Sequence, residues 1–428
     1  MLAHLEPAER LGPIARVCSA WRTAAVIATN SISARGRVCW EYGRNKASGL
    51  TQDKATALSC WLQAHAAAAA LDSLTVTGER QEYLLQLPVQ QLASLRSLDL
   101  ECITVGMQGA ADTQTTPANL PPELSGLTSL RLWYSNVGLS TLPAFTNLQH
   151  LALAHSNSSL DMSGLLMLTH LHLSDYCATD AALASVSGLT CLQELEVSGR
   201  FYTERGLAAL PPTLTNLYVC GNVMLAPGST PAVAQLTALR RLEVNHLSYG
   251  LSTAVLSSLS SLQHLAVVCS LLPSAPSAGD LNDGERDVDL APLSGLTQLH
   301  SLSLPVHFVD EAAYGAGTNA AALTASSQLT RLNMRGLVEQ QQYSHMFPAG
   351  RQLPRLKELW ATMGLLGTAK DASALAKCCP NLEHLDVSKG VFAWSVVLVY
   401  SVVTQLASVC HHGPHTHDWM PPQALTPS

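Results

Sequence analysis

The chain reads as an α/β solenoid, with short parallel strands stacked along the inside of a curve and helices and loops returning along the outside. Three features predict this. The skeleton Leu-x-x-Leu-x-Leu recurs, most cleanly at Leu148/Leu151/Leu153, Leu168/Leu171/Leu173 and Leu192/Leu195/Val197, whose starts lie 20 and 24 residues apart. Side chains two apart share one face of a strand, so the last two apolar positions of each skeleton point the same way. Apolar residues make up 47% of the 428 residues but aromatic ones only 5%, so the core is aliphatic. One such segment has nothing to bury its leucines against, and the copies must stack on one another.

Thirteen copies begin at Leu71, Leu95, Leu127, Leu148, Leu168, Leu192, Leu214, Leu239, Leu262, Leu299, Leu329, Leu356 and Leu382. In period and skeleton they resemble leucine-rich repeats, and that resemblance implies a leucine-rich repeat solenoid over residues 55–390. The longer spacings mark surface insertions at Gly106–Glu123, Pro273–Asp289, Ala312–Ser327 and Glu339–Gly350. The Asn that commonly follows the strand in such repeats is mostly absent, Asn222 being the clearest candidate. Other groups or water must then pair the backbone there.

Residues 1–54 form a separate segment. They carry eight Arg/Lys against four Asp/Glu, a balance of +4 that leaves −11 for the rest of the chain. Leu11, Ile14, Val17 and Trp21 follow Pro7 at helical steps. Leu5, Pro7, Leu11, Val17, Cys18 and Trp21 match in order and spacing the second half of an F-box, the Val17-Cys18-Ser-Ala-Trp21 run above all. The resemblance implies that these six residues contact a Skp-type adaptor. The Leu-Pro-x-Glu-Leu-Leu helix that opens an F-box has no counterpart after Met1. Ser31–Lys54 reads as a basic connection, and a helix is predicted over Thr51–Ala70, its Leu58, Trp61, Leu62, His65, Ala66 and Ala69 on one face. Its expected role is to cover the open end of the solenoid. Further on, Cys379-Pro-Asn-Leu382 leading into Glu-His-Leu-Asp-Val, Tyr202–Leu207 and Thr179-Asp180 resemble the cysteine-containing repeats of F-box proteins.

The strand residues that alternate with the buried leucines face the concave side. In register these are Arg131, Trp133 and Tyr134, then His150, then His170 and His172, then Glu194 and Glu196, then Tyr218, then Arg241 and Glu243. Adjacent parallel strands lie about 4.8 Å apart, so His150 and His170 are expected side by side and His172 near Glu196. Trp, Tyr and Arg are the usual anchors of protein interfaces, and the expected ligand is a protein partner.

Other classes find no support. A net charge of −7 with 13% charged residues gives no footprint for nucleic acid. No nucleophile elbow, HExxH helix, Walker loop or dinucleotide-binding loop is present, so neither an enzyme nor a cofactor is expected, and no metal site. The Asp280–Asp289 cluster breaks the calcium-loop template at Gly284 and Ala291. Eleven cysteines without a CxxC pair, after an N-terminus lacking an apolar signal core, read as free and mostly buried thiols in the cytoplasm. Nuclear and cytoskeletal or axonemal locations are the alternatives. Residues 391–428 hold an uncharged run, Val391–Val409, read as a terminal cap with a membrane tail as the alternative, then a His-rich tail. The functional expectation is a monomeric substrate-recognition subunit of a Skp–cullin–F-box ubiquitin ligase. Its alternatives are a repeat scaffold without a ubiquitin link and a membrane-anchored adaptor.

Overall fold

The computed structural model describes residues 31–35 and most of 52–388, the breaks being 70, 79–83, 89–91, 108–118, 155–159, 200, 221–232, 246–250, 253–255, 269–270, 273–290, 305–321, 323, 335–346, 348–349 and 363–368. The F-box-like residues Leu5–Trp21, the acidic 280–289 loop, Asn222, the 391–409 run and the His-rich tail lie outside the described residues.

The fold is a leucine-rich repeat solenoid. Its main sheet has 14 strands, all parallel and in chain order. They are β1 Ser31–Arg35, β2 Ser73–Thr77, β3 Ser97–Glu101, β4 Ser129–Trp133, β5 His150–Ala154, β6 His170–Ser174 and β7 Glu194–Ser198. Then follow β8 Asn216–Cys220, β9 Arg241–Asn245, β10 His264–Val268, β11 Ser301–Ser303, β12 Arg331–Asn333, β13 Glu358–Thr362 and β14 His384–Ser388. Thirteen of these are the strands of the thirteen skeletons. The pairing never slips: Leu74, Leu98, Leu130, Leu151, Leu171, Leu195, Leu217 and Leu242 are successive partners, and the line continues through Leu265, Leu302, Leu332, Leu359 and Leu385. All of them are buried except Leu385, on the last described strand.

Backbone carbonyls at the strand entrances are heavily used. The Gln149 carbonyl accepts from the backbone N–H groups of Thr169 and His170 and from the Thr169 hydroxyl, at 2.9, 3.0 and 2.9 Å. Thr128, Thr215 and Thr330 repeat the arrangement on Arg96, Gln193 and His300. Past the strands, the backbone pairing that the missing Asn left open falls to other side chains. Ser135, buried, donates to the Leu100 and Trp133 carbonyls at 3.0 and 3.1 Å and accepts from the Ile103 N–H. The Tyr202 phenol, buried and with its pKa pushed up by desolvation, donates to the carbonyls of Val197 and Cys220.

Two expectations at the N-terminal end need correction. Ser31–Arg35 is a strand, in register with Ser73–Thr77, where a basic connection was expected. The sheet therefore begins before residue 55. The predicted helix is present as α1, Gln52–Ala69, but it does not close the sheet edge, which β1 extends. It lies on the convex side against the strand Leu84–Leu87, which pairs with Thr104–Met107. Leu62 and Ala55 are buried there, and Ser59 Oγ accepts the Gln86 N–H at 3.0 Å while donating to the Ala55 carbonyl. A hydroxyl thus pairs a strand-edge N–H that has no further strand to meet. The cysteines also depart from expectation: of the seven described, all free, only Cys177, Cys378 and Cys379 are buried. Burial and the neighbouring Cys378 push the Cys379 thiol up to about 12.

On the convex side, α2 (Asp180–Ser185) and α3 (Glu204–Ala208) begin at Thr179 and Thr203, each hydroxyl capping a backbone N–H of its own first turn. Asp180 ties the two together. Its carboxylate accepts from the Thr203 N–H at 2.6 Å, the Thr203 hydroxyl at 2.8 Å and the Gly206 N–H at 3.0 Å. A Cβ at residue 206 would meet Asp180 Oδ1 at 2.6 Å, so glycine there permits the close approach. The return between β13 and β14 carries the ten-residue helix α4, Ala369–Cys378.

Leu195→Ala removes a fully buried link of the leucine line and should lower unfolding stability by about 2–5 kcal/mol, measured by denaturant titration. Asp180→Ala leaves three donors without their acceptor in a partly exposed setting, for which a loss of about 1–2 kcal/mol is expected by the same assay.

Candidate functional site on the concave face

Because the leucines take alternate positions, the first, third and fifth residues of each strand form three rows across the concave face. The first row runs Ser129, His150, His170, Glu194, Asn216, Arg241, His264, and the third-position row Arg131, Ala152, His172, Glu196, Tyr218, Glu243. All eleven concave residues expected from the sequence lie on these rows or directly after them. The structure gathers them into three groups.

In the first group, Arg131 bonds Asp99 of β3 at 3.1 Å and places its guanidinium 4.9 Å from the centre of the Trp133 ring. Trp133 leans across β5 to within 5.3 Å of the His172 ring and lies 6.3 Å from Tyr134. Ala152 and Ala154, the β5 residues between β4 and β6 on these rows, leave the space that a larger side chain would fill. Among the described residues, the buried indole N–H of Trp133 has no hydrogen-bond partner. His172 is held from two sides, Nδ1 at 2.8 Å from Glu196 Oε2 and Nε2 at 2.6 Å from Ser174 Oγ. Carboxylate, imidazole and hydroxyl in that order match an acyl-transfer triad in connectivity. Ser174, however, is only 7% exposed, so its hydroxyl is poorly placed to meet an acyl carbon, and the chain of bonds serves to fix the imidazole.

In the second group the rings of His150 and His170 stack at 4.4 Å, as their register requires. His170 lies 4.0 Å from Glu194, which also accepts from Asn216 at 3.2 Å. Burial lowers the His150 pKa, the neighbouring His170 lowers it further, and Glu194 partly opposes them. In the third group Arg241 bonds Glu243 at 2.6 Å and stands 5.3 Å over the Tyr218 ring. That bond raises the guanidinium pKa, while burial raises the Tyr218 phenol. The face continues to His264, whose pKa is lowered first by burial and then by Arg241 and His300. Farther along, Arg331 pairs with Glu358 at 3.1 Å.

Asp99, Asn216, His264 and Arg331 were not among the residues singled out from the sequence, although the same strand register reaches each of them: Asn216 shares β8 with Tyr218, Asp99 and His264 lie one copy beyond the strands read, and Arg331 lies three copies beyond. Tyr176 and Phe201 were missed for a different reason. They follow β6 and β7 in the returns, where no alternation points to them, and stack at 4.9 Å while 52% and 49% exposed. Among the described residues no cluster of three His, Cys, Asp or Glu side chains could hold a metal, and no helix is long and apolar enough to cross a membrane.

Comparison with a solved structure agrees on the fold. An internalin of Listeria monocytogenes aligns over 84% of this chain and 89% of its own, at 18% identity and a TM-score of 0.50. A leucine-rich repeat protein of Leptospira interrogans covers 78% of this chain and 70% of its own at 17% identity, TM-score 0.41. No protein-family model and no curated protein matches the sequence. The class defined is thus a leucine-rich repeat solenoid with an open, polar and aromatic concave face.

A histidine whose folded pKa lies below its ordinary 6.5 binds its proton more weakly when folded, so stability falls as pH drops through and below that value. The His150 ring protons should titrate below 6.5 by NMR. His170→Gln should move the midpoint part of the way back up, since burial still opposes the charge.

Proposed function

We propose that this chain is a non-enzymatic protein-interaction solenoid, monomeric within a larger cytoplasmic assembly, whose concave face from β4 to β9 holds a protein partner. The observation that carries the reading is the grouping of Trp133, Tyr134, Arg131, Tyr218 and Arg241 with paired carboxylates and histidines on six adjacent strands. Aromatic and arginine side chains set among satisfied polar groups are the usual energetic centres of protein interfaces. Captured partners should be lost on Trp133→Ala and on Arg241→Ala, measured by affinity capture and mass spectrometry beside an unchanged thermal unfolding midpoint. Retention of the same partners by both variants would place the interface elsewhere.

The finer reading is a substrate-recognition subunit of a Skp–cullin–F-box type ubiquitin ligase. It is supported by Leu5, Pro7, Leu11, Val17, Cys18 and Trp21, and by the cysteine-containing repeat at Cys379–Val387. A Skp-type adaptor should bind the full chain and be lost when residues 1–30 are removed, read by pull-down. If neither form binds, a repeat scaffold without a ubiquitin link is the reading that remains.

A further inference from the structure

The strands β3 to β7 end on a common rim. Cys102, Tyr134 and Asp175, each directly after its strand, have positive φ of 54°, 51° and 54°. The left-handed residue turns the chain sharply out of the sheet, so the side chains that follow stand at the lip of the concave face. The platform is fixed through its backbone. Cys102, Tyr134 and Gly199 donate their N–H groups to the Trp133, Ala154 and Cys220 carbonyls at 2.8, 3.1 and 3.0 Å. On it stand Tyr134 and the exposed Tyr176–Phe201 stack, with Trp133 just inside.

The charge around these rings is one-sided. Asp99, Glu101, Asp175, Glu194 and Glu196 are the carboxylates of β3 to β7 and their first turn residues, and Arg131, already paired with Asp99, is the one guanidinium or ammonium among the described residues of that set. Arg200, just before Phe201, lies outside the described residues. Burial raises the Tyr134 phenol pKa, and Asp175, Cys102 and Glu101 raise it further.

We infer that this rim receives an extended basic segment of the partner protein, its Lys or Arg side chains set among Tyr134, Tyr176 and Phe201 and facing Glu101, Asp175 and Glu196. The inference rests on the concave face being a protein-binding surface and names the chemistry of what reaches its edge. The lip from β3 to β7 spans about 19 Å, the reach of about six extended residues. Aromatic faces attract cations, and carboxylates beside them add an attraction that salt screens.

The test is fluorescence anisotropy on the full chain with three labelled octapeptides, alternating Lys/Leu, Glu/Leu and Ser/Leu. The Lys/Leu peptide should bind, at least tenfold more weakly when salt is raised from about 0.05 to about 0.5 M. The same loss is expected in Tyr176→Ser/Phe201→Ser and in Asp175→Asn/Glu196→Gln. The second pair keeps side-chain shape, and Asn tolerates a positive φ, so it remains informative if the first variant misfolds. No binding of the basic peptide, equal binding of all three peptides, or binding untouched by either double variant overturns the inference. If the peptide fails while Trp133→Ala and Arg241→Ala still lose captured partners, the rim assignment falls and the concave-face reading stands. If the peptide binds at the rim and those two variants lose nothing, the rim site stands without the concave one.

Discussion

Unslipped register is the constraint on which everything else in this molecule rests. Each strand from β2 to β10 contributes two buried apolar side chains, and each of those is buried by the equivalent residues on either side. A shift of one residue in any pairing would turn leucines toward solvent and charged residues inward. The carbonyls at the strand entrances reinforce the register locally, since the Thr hydroxyl and two N–H groups meet one oxygen of the preceding repeat. Burial selects the face and hydrogen bonding selects the step, and the two agree at every joint described. Stability in such an array comes mainly from nearest-neighbour contacts.

That constraint also explains what the sequence made legible. Strand positions, their order and which residues face outward follow from the leucine skeleton alone. The stacking of His150 on His170 and the approach of His172 to Glu196 follow in turn from strand spacing. The strand at Ser31–Arg35 has no leucine skeleton, and only its partner at Ser73–Thr77 makes it a strand. Convex contacts such as Asp180 with Thr203 and Gly206 depend on how two returns meet, which periodicity does not encode. Tyr176 and Phe201 escape notice for the same reason. The substitution of Ser135 and Tyr202 for the missing Asn shows one physical demand, pairing of buried carbonyls, met by unlike residues that share no motif.

The polar face is organised on another principle. Several of its contacts join unlike residues from adjacent strands, as with Asp99 and Arg131, His172 and Glu196, or Glu194 and Asn216, beside the stacked pair His150 and His170. Such half-exposed pairs contribute little to stability individually. Their effect is to hold side chains in fixed orientations before a partner arrives, which lowers the ordering cost of association. Trp133 resting over the two small residues of β5 is the largest example.

The pairing of like with like in the core and of mostly unlike residues on the face has an evolutionary corollary. Duplicating or deleting one whole repeat leaves every leucine beside another leucine, so the solenoid lengthens or shortens without losing its core. Deleting a repeat parts Glu196 from His172, or Arg131 from Asp99, and either event brings strangers together across the new joint. Repeat number is therefore a lever that rewrites recognition while sparing the fold, and lineages carrying this architecture are free to change partners faster than they change shape.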